Sequence, residues 1–236
     1  MHGHAPSLRQ ADPGSWAAVA ALDSNGAPAC APLFERLAAK RLTWLPDLGV
    51  GYYHVEDPQR PYDVRYFARY LSYRETLLGK RLTQARVELV DRYWDRPVVD
   101  IGIGCGAFVE ARPKTRGYDI NPAGVQWLLE RGLFCNPYSE HVQAVTLWDV
   151  LEHIPDFDRL LARVSARVFV CMPVYSGPQE VLVSKHFRPD EHCWYFTSFG
   201  FLAVMRSLGW ELLEHNEEET RLGRDGIASF AFQRSA

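Results

Sequence analysis

Residues 98–106 read Val-Val-Asp-Ile-Gly-Ile-Gly-Cys-Gly, an apolar β-branched run entering a loop with glycine at every second position. Glycines permit positive φ and let a ligand lie against bare backbone, so Gly102, Gly104 and Gly106 are candidate cradle residues. Asp100 sits two residues before the first glycine, where a carboxylate can meet a cationic group. A second acid, Asp119, closes the next strand-like run about 19 residues later, the place from which a carboxylate accepts both hydroxyls of a ribose. Together they suit an adenosine carrying an ammonium-bearing tail. Gly102, Gly104 and Ala107 also fit the dinucleotide pattern G-x-G-x-x-G/A, which keeps a nicotinamide-dependent oxidoreductase open as an alternative.

Two histidines stand where a base would be needed. His153 follows the run Ala144–Val150, and His192 lies in Lys185–Phe196, a stretch holding two histidines, two acids, two basic residues and four aromatics. Imidazole is the natural proton acceptor near neutral pH, so both are candidate catalytic residues. The competing structural readings are a turn cap for His153 and a brace against the sheet for His192 and Trp194. Glu152, His153, Asp190, Glu191 and His192 could ligate a metal, but Glu191 and His192 are adjacent rather than at i, i+4, and no zinc signature exists. No metal is expected.

The segment Asp100-Ile-Gly-Ile-Gly-Cys-Gly106 resembles motif I of the class I S-adenosylmethionine-dependent methyltransferases. Tyr118-Asp119-Ile120 resembles their acidic loop, and Leu147-Trp-Asp-Val-Leu-Glu-His-Ile154 the D-V-L-E-H segment common in the branch that methylates small molecules. The motifs come in the family's order over about residues 95–233. The resemblance implies S-adenosylmethionine as cofactor, S-adenosylhomocysteine as product and a small polar methyl acceptor. It also implies that Gly102, Gly104 and Gly106 pass the methionine portion, Asp119 holds the ribose and Ile120 flanks the adenine. Asn136 would read the adenine edge, and Trp148 and Asp149 would line the cofactor near its sulfur. The helix after motif I is interrupted by Pro113, and the helix between the third and fourth strands is nearly missing, both departures from the family. A module that keeps fold and cofactor but has lost catalysis is the alternative these departures motivate.

Nucleic-acid substrates are not favoured. Asn136-Pro137-Tyr138 lacks one proline of the amino-methylating motif and precedes the fourth strand, and Cys171-Met172-Pro173 has the wrong order and place for a cytosine-5 nucleophile.

The elements that must hold these residues follow a strand–turn–helix rhythm after Pro97. Strands are expected at Val98–Ile101, Arg116–Ile120, Leu133–Cys135, Ala144–Val150 and Arg167–Met172, with a closing antiparallel pair at Trp210–His215 and Ile227–Gln233. Asn121 and Pro122 read as the cap and first residue of a helix. The fold expected is α/β: a Rossmann-like, mostly parallel, seven-stranded sheet covered on both faces, with a closing antiparallel strand. Before it, Tyr66, Phe67, Tyr70, Tyr73, Leu77 and Leu78 recur at helical spacing, a stripe read as core, with the intervening Arg and Glu residues on a solvated face. Gly79 is the expected break between two helices. The division anticipated is a flexible N-terminus over 1–28, a mainly helical cover over 29–95 and the cofactor-binding domain over 96–236. Within the cover, Cys30-Ala-Pro-Leu-Phe34 and the glycine–tyrosine stretch 45–53 look like remnants of a zinc ribbon that some relatives carry.

Composition bounds the rest. The chain has 236 residues, 47% of them hydrophobic, enough for a packed core. The formal net charge of −3 gives no support for binding nucleic acid or a membrane surface. The five cysteines are odd in number with no CxxC spacing, so neither a disulfide framework nor a thiolate zinc finger follows. No basic-then-apolar leader and no window of about 20 apolar residues is present, so a cytoplasmic protein is expected.

Overall fold

A computed structural model of the protein describes residues 43–53 and 62–235. The expected flexible terminus and Cys30 lie outside the described residues. The central sheet has six strands in the order β4-β3-β5-β6-β9-β8. They are β3 (Val98–Ile101), β4 (Thr115–Tyr118), β5 (Val142–Trp148), β6 (Val164–Pro173), β8 (Trp210–Asn216) and β9 (Ile227–Arg234). β3 to β6 run parallel, and β9 and β8 close the edge antiparallel. The seventh strand expected at Leu133–Cys135 is a single bridge, Gly117 to Phe134. Asn136 turns the chain at once, its side chain accepting the Tyr138 N–H at 2.9 Å, so the ladder cannot extend.

Alternation on these strands explains why both faces are covered. Val168, Val170 and Met172 of β6 enter one apolar cluster, and Phe169 and Cys171 the other. The first cluster receives Phe157, Leu160 and Leu161 of α5 (Phe157–Leu161) and Phe201, Val204 and Met205 of α7 (Ser198–Ser207). The second receives Leu89 and Val90 of α2 (Leu77–Tyr93) and Phe108 of α3 (Ala107–Ala111). A sheet buried on both sides reads as continuous apolar runs, as these do.

The cover is not helices alone: the short strand that residues 48–53 suggest is present, and a partner strand precedes it. Its helices are α1 (Val64–Arg74) and α2, but the break falls at Glu75–Thr76, not at Gly79. The Thr76 hydroxyl accepts the Gly79 N–H at 2.9 Å and starts the second helix. Gly79 is instead a close-approach site, since a Cβ there would fall 2.3 Å from the Tyr73 carbonyl oxygen. The cover also holds β1 (Thr43–Leu45) and β2 (Val50–Tyr52), and β2 pairs antiparallel with β7 (Trp194–Phe196) from the far end of the chain. The shortened helices are as expected: α3 spans five residues, while α4 (Pro122–Glu130) starts at Pro122 behind an Asn121 cap. A short helix α6 (Pro178–Val183) precedes the Lys185–Phe196 stretch, and α8 (Glu218–Arg221) lies between β8 and β9. Among the described residues no helix is long and apolar enough to cross a membrane.

Candidate active site

The carboxyl ends of β3, β4 and β5 open into a cavity of about 790 Å³. Its floor is the glycine loop. Gly102, Gly104 and Gly106 all have φ near +60° to +80°, a region L-residues rarely adopt. Gly102 and Gly104 border the cavity. Gly106 does not; it starts α3 from a left-handed conformation, and a Cβ there would lie 2.6 Å from the Trp127 ring. It serves close helix contact.

Asp100 is 1% exposed and accepts a 2.6 Å hydrogen bond from the Thr146 hydroxyl. Burial raises its pKa to about 7, against the opposing effects of Thr146 and Arg86. A buried carboxylate at the cavity edge gains from a cationic ligand group. Asp119, just past β4, also has its pKa raised by burial and lowered less by backbone N–H groups, among them that of Asn121 at 2.8 Å. Ile120 is exposed on the cavity wall. Asn136 is not in that wall, but Tyr138 is, in edge contact with Tyr118 at 5.7 Å between ring centroids. Asn121 ties this corner to the cover by donating to the Asp63 carbonyl at 3.1 Å.

The aromatic stripe of α1 divides between core and cavity. Phe67 is buried, whereas Tyr66, Tyr70 and Tyr73 face the cavity with Tyr62. The Tyr66 and Tyr70 hydroxyls meet at 3.2 Å, and Arg69 stacks near both rings.

Trp148 and Asp149 close the back. Trp148 meets Phe108 edge-on at 5.4 Å. Asp149 has φ +58° and is gripped by Arg224 at 2.8 and 2.9 Å and by Arg86 at 3.3 Å. Glu219, 1% exposed, joins both arginines. Burial works against ionising Asp149, but Arg224 and Arg86 outweigh it and hold its carboxyl below the ordinary range. Arg86 was not singled out in the sequence. Its sequence signal was weak, because Glu219 lies in an acidic run that reads as solvent-facing.

At the other end, the 3₁₀ turn Leu151–His153 is pinned to the Lys185–Phe196 stretch: the Glu152 carbonyl accepts the Cys193 N–H at 2.9 Å, and the Ile154 carbonyl accepts from Trp194 at 3.0 Å. The docking brings the His153 and His192 rings to 4.5 Å, nearly perpendicular. His153 Nδ1 donates to the Glu191 carbonyl at 3.0 Å, since a carbonyl only accepts. Burial lowers the His153 pKa against the pull of Glu191, and burial, then His153 and Arg188, push that of His192 down to about 2. Glu152 sits beside them, 2% exposed, its carboxyl raised well above the ordinary range by burial and then by Asp149. The sequence named Glu152 only as one of several possible metal ligands.

The fold has known counterparts. The family described as methyltransferase domain matches residues 54–215, and the chain belongs to it. A magnesium protoporphyrin IX methyltransferase from Synechocystis PCC 6803, solved with bound S-adenosylhomocysteine, shares 14% identity at a TM-score of 0.54 over 73% of this chain and 95% of that one. A possible histamine N-methyltransferase from Thermotoga maritima gives 15%, 0.51, 72% and 96% in the same order. The 1,6-didemethyltoxoflavin N1-methyltransferase of Burkholderia thailandensis gives 14%, 0.50, 84% and 100%. At this identity they share the fold. No curated protein sequence matches the chain.

Proposed function

We propose that the protein transfers the methyl group of S-adenosylmethionine to a small polar molecule, releasing S-adenosylhomocysteine. The observation carrying this reading is the single cavity bordered at one end by Gly102, Gly104, Asp100 and Asp119 and at the other by Glu152, His153 and His192. The residues fit the cofactor: a buried acid for its ammonium group, positive-φ glycines that leave room against the backbone, and a second acid at the ribose position. Ile120, Tyr118 and Tyr138 offer apolar surface for the adenine, a role Tyr138 takes in place of Asn136.

When bound, the cofactor supplies an electrophilic methyl carbon on a sulfonium. The chain's task is to hold a nucleophile in line with it and take up the nucleophile's proton. Trp148 and Asp149 shape the wall near the reacting carbon. The Nε2 of His153, left as the lone-pair atom by the bond at Nδ1, is the proton acceptor we assign. His192, kept neutral by burial, positions that ring. The tyrosines of α1 shut out water from above. Residues 96–236 form the cofactor-binding domain and 29–95 the cover in this reading. The compartment is the cytoplasm, where Cys105, Cys135, Cys171 and Cys193, free and buried among the described residues, stay reduced.

Calorimetric titration with S-adenosylmethionine, S-adenosylhomocysteine and NADH tests the proposal. Binding of the first two and not the third is expected. Binding of NADH alone would transfer the glycine loop to an oxidoreductase.

A further inference from the structure

Two groups of ligating side chains lie along the cavity, and they differ in what already meets them. Asp149, Cys171 and Glu219 form one, but the guanidiniums of Arg86 and Arg224 fill it. Glu152, His153 and His192 form the other, with one ligating atom from each within 4.8 Å of the others. Neither carboxylate oxygen of buried Glu152 has a hydrogen-bond partner, although the side chain borders the cavity. Leaving such a group unmatched is costly, and a bound cation would offset that cost. His153 shows the arrangement usual for a metal ligand, one ring nitrogen held by a backbone carbonyl so that the other presents its lone pair.

We propose that Glu152, His153 and His192 bind a divalent first-row transition-metal ion at the acceptor end of the cavity. Two imidazoles and one carboxylate suit Zn²⁺, Fe²⁺ or Co²⁺ better than Mg²⁺ or Ca²⁺. Ligands of a tetrahedral ion with bonds of about 2.1 Å stand about 3.4 Å apart. The three ligating atoms, all within 4.8 Å of one another, stand about 1.4 Å or less beyond that spacing. Three protein ligands leave a position open toward the cavity, as catalytic sites do.

The consequence for the substrate rests on the methyltransferase reading. The open position takes a hydroxyl oxygen of the acceptor. The ion lowers the pKa of that hydroxyl, whose proton leaves to solvent. The oxygen's electron pair then forms the O–CH₃ bond as the S–CH₃ bond breaks, and that bond's electrons stay on sulfur. The acceptor is thus a hydroxyl-bearing molecule; with the ion in place His153 Nε2 promotes loss of its proton through the metal, and in the ion-free site it takes that proton directly.

The test uses the full chain, stripped with a chelator and titrated with Co²⁺ while its visible absorption is followed. Bound metal is counted after dialysis, and S-adenosylhomocysteine binding is measured on the same samples. One equivalent with the absorption of a nitrogen–oxygen site is expected, with that equivalent lost in Glu152→Gln and in His192→Gln. Retained S-adenosylhomocysteine binding and an unchanged circular dichroism spectrum show that the variants fold. Equal metal content in wild type and Glu152→Gln would overturn the proposal by placing the ion elsewhere, His2 and His4 included. Absence of bound Co²⁺ in the wild type would also overturn it, even with the homocysteine product binding normally. Metal binding at this site without product binding would uphold the site and sink the methyltransferase reading.

Discussion

Asp100 is buried and Asp119 half-buried, and they lend themselves to different tests. Asp119 is offered to a neutral ribose, so Asp119→Ala should weaken S-adenosylhomocysteine binding by about 1.5–3 kcal/mol, the scale of a hydrogen bond to a charged group, read by calorimetry. Asp100 is offered to a cation, so its effect depends on pH. Its folded pKa, about 7, lies above the unfolded value because burial favours the protonated form. The stability it contributes is therefore full below the unfolded pKa and lost as pH rises through about 7. Binding of a cationic ligand runs the other way, since it needs the carboxylate. Product affinity should climb as pH rises toward about 7 and then level off, and Asp100→Asn should flatten the climb. A pH-independent affinity in the wild type would remove the cationic contact.

At the scale of elements, the ion-pair cluster behind Trp148 separates buried from surface electrostatics. Arg86→Met leaves Glu219 buried beside a single arginine and should destabilise the fold by about 3–5 kcal/mol in urea unfolding. Arg221→Ala breaks an exposed pair with Glu218 on α8 and should cost under about 1 kcal/mol. The two arginines also show what a sequence conveys. The glycine loop, the Asn121–Pro122 helix start and the closing strand pair were legible because each rests on local rules: positive φ, capping and alternation. Arg86 and Glu219 were not, because their partners are set by tertiary contact across most of the chain. His153 and His192 were each legible as chemistry-bearing residues. Their 4.5 Å approach was not, because it depends on Cys193 and Trp194 bonding to the carbonyls of Glu152 and Ile154. The break misplaced at Gly79 has a similar origin: glycine signals a break in isolation, but here it signals contact with the Tyr73 carbonyl.

For the whole molecule, a ligand that fills the cavity bridges cover and sheet and binds only the folded state. At a hundredfold excess over its dissociation constant, S-adenosylhomocysteine should add about 2.7 kcal/mol to stability. For a chain of this length that raises the melting temperature by roughly 5–11 °C in differential scanning calorimetry. NADH should leave it unmoved.

The small sheet is sewn from two stretches that lie most of the chain apart, with Tyr52 opposite Trp194. Closing so long a loop is entropically slow, even though Val50, Tyr52, Trp194 and Phe196 enter the main apolar cluster once it is closed. This seam is thus expected to close late during folding, with amide protection at Trp194–Phe196 appearing after that at Val168–Met172 in pulse-labelled hydrogen exchange. His192 stands at the start of that seam. On the proposed function, the acceptor end of the cavity is then assembled after the glycine loop, so the place for one reactant is built before the place for the other.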